Sequence, residues 1–287
     1  MICQLNINNI VLNRSQYLLK PAQQLTDTNL VRNISYGSCL ERFAPISLKE
    51  MDAVALLNRV DTKFVLTNSQ LASVLQSLPA EYRVLCIENQ RSNHYRTLYF
   101  DTPDFKLFNL HVNENAERYK VRIREYLDTF ESFLEVKHKT RKNRTIKDRI
   151  STLSLQPNLT LEAERWLDDT FPYDSRNLEP KLWNTFTRMT LVNEVSCERV
   201  TLDTDLVFYS KQNYIRLDGL AVAEVKMSSG HQDSAFMQQM ESRRIHPQGF
   251  SKYCMGVSML YQDVKKNALK PKLLLMKKMI EGAVEYE

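Results

Sequence analysis

Alternation of apolar and polar residues dominates the middle of the chain. Side chains in a strand point to opposite faces in turn, so period two reads as a half-buried strand. Runs of this kind cover Val60 to Leu66, Tyr82 to Ile87, Tyr95 to Phe100, Arg118 to Tyr126, Phe133 to Lys139 and Asn143 to Ile150. They resume at 183 to 192, 197 to 209 and 214 to 227. Helical spacing intervenes in few places. Ser47 and Glu50 have capping-box spacing ahead of Val54 to Leu57, which predicts a helix start. Asn68 can cap a helix carrying Leu71, Val74, Leu75 and Leu78 that stops at Pro79. A short helix is predicted with Pro103 in its first turn, and another over 160 to 170. From 232 the chain reads as three helical pieces, broken near His246-Pro247 and Lys270-Pro271.

Most predicted strands follow one another through short turns, without the crossover helices a parallel sheet requires. The pattern therefore predicts an α+β fold with an antiparallel β-barrel forming a tunnel and peripheral helices, closure removing exposed edges. Residues 1–45 are weakly patterned and read as an N-terminal extension with little core of its own. The barrel domain is expected over 46–265 and a C-terminal helix over 266–287. That helix brings together Leu273, Leu274, Met276, Lys277 and Lys278, which predicts packing against the core rather than docking of a partner.

Composition adds exclusions. At 287 residues, 43% hydrophobic and 25% charged, the chain is neither too short for a core nor biased toward disorder. Five scattered cysteines with no C-x-x-C pair argue against a disulfide framework or a zinc knuckle and for a reducing compartment. No apolar run is long enough to span a membrane, and the first residues lack a signal-peptide pattern. A cytoplasmic protein is expected, with any membrane recruitment left to a membrane-protein partner. The net charge of +5 suits an anionic ligand without identifying one.

The charge pattern is more specific. Arg118, Lys120, Arg122 and Arg124 share one strand face, while Tyr119, Val121 and Ile123 share the other. Cations about 6.5 Å apart repel unless anions lie among them. Glu135, Lys137 and Lys139 repeat the arrangement, and Lys147 extends it. Arg59, Asp61 and Lys63 share a face, as do Glu224 and Lys226. Arg199 shares its face with Thr201, Asp203 and Asp205, and Arg188 lies in a strand of less regular period. A single such strand reads as an ordinary solvated face. The repetition across strands, with cations in excess, reads instead as a barrel lined by Lys and Arg around a run of phosphates. The few carboxylates suit a divalent ion that bridges phosphate oxygens, Mg2+ or Mn2+. The five histidines are scattered and read as structural or surface residues.

Taken in order, these residues resemble a known family. Arg59-x-x-x-Lys63 is followed by Tyr99-Phe100-Asp101-Thr102, Arg118-x-Lys-x-Arg122-x-Arg124 and Glu135-x-Lys137-x-Lys139. Arg188, Glu198-Arg199-x-Thr201-x-Asp203, Glu224-x-Lys226 and Phe250-Ser251-Lys252-Tyr253 complete the order. From about 46 to 262 the sequence resembles the VTC domain, the polyphosphate polymerase domain of the vacuolar transporter chaperone complex, within the CYTH-like triphosphate tunnel superfamily. The resemblance implies transfer of the ATP γ-phosphate onto a growing polyphosphate chain. It implies a catalytic lining of Lys63, Arg122, Arg124, Lys137, Lys139, Arg188, Arg199 and Lys226. Arg59, Lys120, Lys147, Ser251 and Lys252 would hold phosphates. Glu224 would be the main ligand for Mn2+ or Mg2+, with Glu135 second. The expected partners are ATP and inorganic polyphosphate or pyrophosphate, with no nucleic acid. Hydrolases of the wider fold carry E-x-E-x-K on an early strand, where this chain has Arg59-Val60-Asp61-Thr62-Lys63. That favours a polymerase over an inorganic or nucleoside triphosphatase. A non-catalytic polyanion-binding module ranks last, because single-strand nucleic-acid readers need stacking aromatics among their cations and only Tyr126 shares the Arg118–Arg124 face.

Overall fold

The computed structural model describes residues 36–53, 59–142, 144–153, 155–228 and 234–284. The first elements are α1 (Gly37–Glu41), β1 (Ala44–Ile46), α2 (Leu48–Ala53), β2 (Arg59–Thr67), α3 (Asn68–Ser77) and β3 (Arg83–Leu85). The central ones are β4 (Asn93–Asp101), α4 (Lys106–Val112), β5 (Arg118–Tyr126), β6 (Glu131–Lys139), β7 (Thr145–Thr152) and α5 (Leu161–Thr170). Last come β8 (Glu179–Asn193), β9 (Glu198–Tyr209), β10 (Tyr214–Arg216), β11 (Leu220–Ser228), α6 (Ala235–Ser242), α7 (Lys252–Leu260) and α8 (Lys270–Val284).

Eleven strands form one sheet, eight of them along the path β2-β11-β9-β8-β4-β5-β6-β7. Each neighbouring pair on this path is antiparallel. The parallel pairing of β1 with β3 lies off it. The α+β antiparallel architecture expected from the pattern is the one observed, although no hydrogen bonds join β2 to β7 among the described residues. The sheet curls nonetheless. Lys63 on β2 lies within charge range of Lys120 on β5 and Lys137 on β6, strands far from it in sheet order.

The convex face is apolar and is covered by helices. Phe64, Leu66, Val200, Leu202, Ala221, Ala223 and Val225 pack with Leu71, Val74 and Leu75 of α3 and Phe236 and Met240 of α6. Farther round, Leu98, Val121, Ile123, Leu134 and Val136 pack with Ala163 and Leu167 of α5. The opposite face of the same strands, the concave one, is therefore left to the polar set. At one end of that concave face α7 fills the space, its Gly256 so near Leu182 that an added Cβ would lie 2.6 Å from a methyl carbon. Met276 of α8 joins this cluster, while Leu274 and Leu275 remain exposed. Among the described residues no helix is long and apolar enough to cross a membrane.

Several expectations change in detail. Leu40 and Phe43 are each 1% exposed in the core, so residues 36–45 are part of the fold rather than an extension without core; residues 1–35 lie outside the described set. The cap of α3 is Thr67, which exchanges hydrogen bonds with Gln70 in a capping box, in place of Asn68. Pro103 precedes α4, whose entry is Phe105 in the left-handed region. Pro271 sits in the first turn of α8, where a missing N–H costs nothing, and the break falls before Lys270. The Ser47–Glu50 capping box is formed as expected, with Glu50 accepting from Ser47 N–H at 2.8 Å.

Candidate functional site

Strand register brings the polar residues to one concave wall. Glu224 stands opposite Lys63 on one side and Thr201 on the other; Lys226 stands opposite Asp61 and Arg199. Arg188 faces Asp203, Arg122 faces Glu135, and Lys120 faces Lys137. Lys137 in turn faces Lys147 on β7. One face of seven strands thus carries Lys63, Lys120, Arg122, Arg124, Lys137, Lys147, Arg188, Arg199 and Lys226 together, as the alternation predicts.

Three carboxylates organise part of this set. Glu224 binds the Lys63 ammonium through one oxygen and the Lys226 ammonium through the other, the latter at 2.5 Å. Asp203 takes a two-pronged contact from Arg188, at 2.6 and 2.8 Å, and a second cation, Lys252 from α7. Glu135, 1% exposed, accepts from Arg122 Nε at 2.7 Å and pairs with Lys147. Burial opposes the charge of each carboxylate, but the paired cations prevail and hold all three well below the usual carboxylate range. The same pairing raises Arg122 and Arg188 despite their burial.

Other cations carry no such partner. Lys120 and Lys137 make no ion pair among the described residues, and withdrawal from bulk water lowers both ammonium groups. For Lys137, the nearby charges of Lys120, Arg122 and Lys63 add to this and outweigh Glu224, pushing it down to about 8. Arg124 is lowered by burial and then by Arg122. Its guanidinium is held by π-faces, lying 5.6 Å from the Tyr95 ring centroid and 5.8 Å from that of Phe186. Cations gathered this closely without matching anions repel one another and favour a ligand that brings negative charge, and bidentate guanidiniums beside ammonium groups suit phosphate oxygens.

The remaining expected residues are less uniform. Lys139 ends β6 opposite Arg118 and Thr145. Arg199 lies beside Lys226 in register, and its guanidinium also donates to the Met51 carbonyl at 3.0 Å. The Arg59 side chain is outside the described residues. Ser251 caps α7, its hydroxyl accepting from Cys254 N–H at 3.3 Å. Asp205 leaves the Arg199 face. It sits at φ 52° beside a register shift, and the strand then turns Leu206 and Phe208 toward α7. In β8 the parity holds, and apolar residues stand on both faces around Arg188 because Leu182 and Phe186 pack toward α7 while Met189 and Leu191 pack under the helices of the other face.

Some residues of the wall were not anticipated as such. Asp203 has the parity of Arg199, a visible signal, but nothing local showed that it would hold two cations. Tyr99 shares the wall too, accepting from Arg122 Nη1 at 3.3 Å and stacking on Tyr253 of α7. Asp101, two residues on along the same face of β4, accepts from Leu107 and Phe108 N–H, both at 2.8 Å, and from the Tyr253 hydroxyl. The Tyr99 to Thr102 motif therefore locks α4 and α7 to the wall.

A divalent ion is testable against this donor set. No group of three or more His, Cys, Asp or Glu residues converges among the described residues. Glu224 and Glu135 each have both oxygens engaged by cations. Such a wall fits an ion of the Mg2+ type, which takes one or two carboxylates and fills its remaining positions with phosphate oxygens and water. Glu224 would have to release Lys63 or Lys226 to join it.

The family model described as "VTC domain" matches residues 58–261. No curated protein matches the chain. Among solved structures, a putative adenylate cyclase from Vibrio parahaemolyticus is 14% identical, with 70% of this chain and 98% of that one covered and a TM-score of 0.40. A putative adenylyl cyclase from Hippeastrum, described as having a dominant triphosphatase activity, is also 14% identical, with 71% and 98% covered and a TM-score of 0.46. Likenesses this distant carry no functional argument.

Proposed function

Because the chain belongs to the VTC domain family, we propose that it is an ATP–polyphosphate phosphotransferase that extends inorganic polyphosphate along its cationic concave wall. The observation that carries this reading is the imbalance of the wall: Lys120, Arg122 and Arg124 on β5 and Lys137 and Lys139 on β6 exceed the one buried carboxylate among them, Glu135. An ATP triphosphate and a polyphosphate end repel each other, and bringing them together in line is most of the catalytic task. Lys63, Lys120, Arg122, Arg124, Lys137, Arg188 and Lys226 offset that repulsion from several strands at once.

In the proposed step a terminal oxygen of the polyphosphate attacks the γ-phosphorus. The bond from that phosphorus to the β–γ bridging oxygen breaks, and ADP leaves. The attacking oxygen is already anionic, so no proton needs removal and no general base is required. Mn2+ or Mg2+, held by Glu224 with Glu135 as second candidate, would supply further charge neutralisation at the phosphates. Lys139, Arg199, Lys147 and Lys252 complete the proposed set of phosphate contacts.

The test is incubation of the purified protein with ATP and Mn2+ and resolution of the products on a gel. A ladder of lengthening polyphosphate is expected. Orthophosphate alone would assign a triphosphatase on the same wall, and binding without turnover would leave a polyanion-binding module. Glu224→Gln should flatten the metal titration of activity; an unchanged titration removes Glu224 as a ligand.

A further inference from the structure

The most uneven charge along the chain gathers at the β6–β7 edge of the sheet and in the turn beyond it. Residues 139–149 hold Lys139, Arg141, Lys142, Arg144, Lys147 and Arg149 against one acid, Asp148. The net charge of this stretch equals that of the entire chain, +5, so the other residues balance to zero. It forms the end of β6, the turn and most of β7, an edge strand of the main sheet path. Lys137 and Lys147 face each other on the concave wall, both exposed at its β7 edge, and Lys139 continues the same face toward the turn. Arg141, Lys142 and Arg144 follow in the turn, all exposed.

The turn does not need those side chains. It is closed by Thr140 N–H donating to the Arg144 carbonyl at 2.8 Å and by Arg144 N–H donating to the Thr140 hydroxyl at 3.2 Å. Arg141 makes one surface contact, 3.2 Å to Glu117, with its side chain 81% exposed. Charges that merely protect an edge strand from pairing lie along the strand. Here half of the cations lie in the turn beyond the strands, directly after Lys139 on the wall face.

Resting on the reading of the wall as a polyphosphate site, we infer that this hairpin is an external track for the phosphate chain. It holds the part of a long polyphosphate that extends beyond the wall, and so makes the protein sensitive to chain length. A short polyanion is fully accommodated by the inner wall and does not reach Arg141, Lys142 or Arg144.

The experiment compares the full chain with the triple variant Arg141→Ser, Lys142→Ser, Arg144→Ser. Affinities for tripolyphosphate and for long-chain polyphosphate are measured over a range of salt concentrations. In the variant, long-chain affinity should fall roughly tenfold at low salt, with a shallower salt dependence, because three phosphate contacts and their released counterions are lost. Tripolyphosphate affinity should stay within about twofold. Unchanged affinity for both ligands overturns the track while leaving the inner site standing. An equal loss for both also overturns it, because the hairpin would then act only through its general field. If the wild-type chain binds neither ligand, the inner site itself is wrong and the track falls with it. Thermal unfolding of the triple variant checks that the fold is retained.

Discussion

The two halves of the concave wall solve the same electrostatic problem differently. On the half built from β2, β11, β9 and β8, cations are shared out among carboxylates: Lys63 and Lys226 on Glu224, Arg188 and Lys252 on Asp203. On the half built from β4, β5 and β6, Glu135 takes Arg122 and Lys147, but Lys120 and Lys137 have no carboxylate of their own, and Arg124 rests on aromatic rings. The first half is held in shape by its own ion pairs, so an arriving polyanion must compete with acids already in place. The second half carries positive charge that only a ligand neutralises. Paired residues should accordingly be sensitive in stability, and unpaired ones in binding.

The largest expected effect breaks the paired half. Asp203→Ala leaves Arg188 and Lys252 buried beside each other without their anion. Stripping one member from a buried pair costs roughly 3–5 kcal/mol, so chemical denaturation should show a large loss of stability. Added polyphosphate should restore more stability to this variant than to the wild type, since it replaces the missing negative charge. Equal stabilisation of both would separate Asp203 from the ligand site.

Arg124→Ala addresses the other half. No carboxylate is stranded by its removal, so unfolding should change little, whereas loss of one charge-assisted phosphate contact costs roughly 1.5–3 kcal/mol. Activity and tripolyphosphate affinity should both drop while the denaturation midpoint holds. A variant that unfolds yet keeps full specific activity would reverse the assignment of the two halves.

The contrast between the halves also marks how far the sequence could be read. The alternation Arg118 to Arg124 placed four cations on one face because period two is local, and the same held for Glu135 to Lys139 and Glu224 to Lys226. Which cation meets which acid is set by register between strands far apart in the chain, such as Glu224 against Lys63. Lys252 could be placed near the wall only through family resemblance, since a helix position has no parity with a strand. Asp205 was misassigned because a bulge breaks parity without any glycine or proline to announce it. Leu40 and Phe43 were missed as core because α1 and β1 span only 5 and 3 residues, too few for a period to show.

A smaller effect, in pH, probes the unpaired half alone. Lys137 sits at about 8, below the ordinary lysine range, because withdrawal from water and neighbouring cations disfavour its charge. A bound polyanion favours the charged form. Affinity should therefore be highest below pH 8 and weaken several-fold as pH rises through that value, the drop being limited by the water that still reaches the side chain. The ligand-free fold moves the other way. Between about pH 8 and the ordinary lysine pKa the unfolded chain keeps a proton that folded Lys137 has lost, so stability contributed by this residue rises with pH. Lys137→Met should remove both trends, as followed by isothermal titration and by unfolding; persistence of the binding trend would assign it to Lys120.

The smallest effect concerns how Lys252 reaches the paired half. It is the first residue of α7, directly after the Ser251 cap. If Ser251 serves the helix, Ser251→Ala costs about 1 kcal/mol of stability through the uncapped Cys254 N–H, and Ser251→Asp, which caps equally well, restores it. If Ser251 instead touches phosphate, alanine lowers polyphosphate affinity with little change in unfolding, and aspartate lowers it further by repulsion. The geometry favours the first pattern, because the hydroxyl already accepts from Cys254 N–H and the adjacent Lys252 ammonium is directed to Asp203. Thermal unfolding and binding measured on the same two variants separate these patterns, and a binding loss without destabilisation would move Ser251 from the scaffold of the paired half into its phosphate contacts.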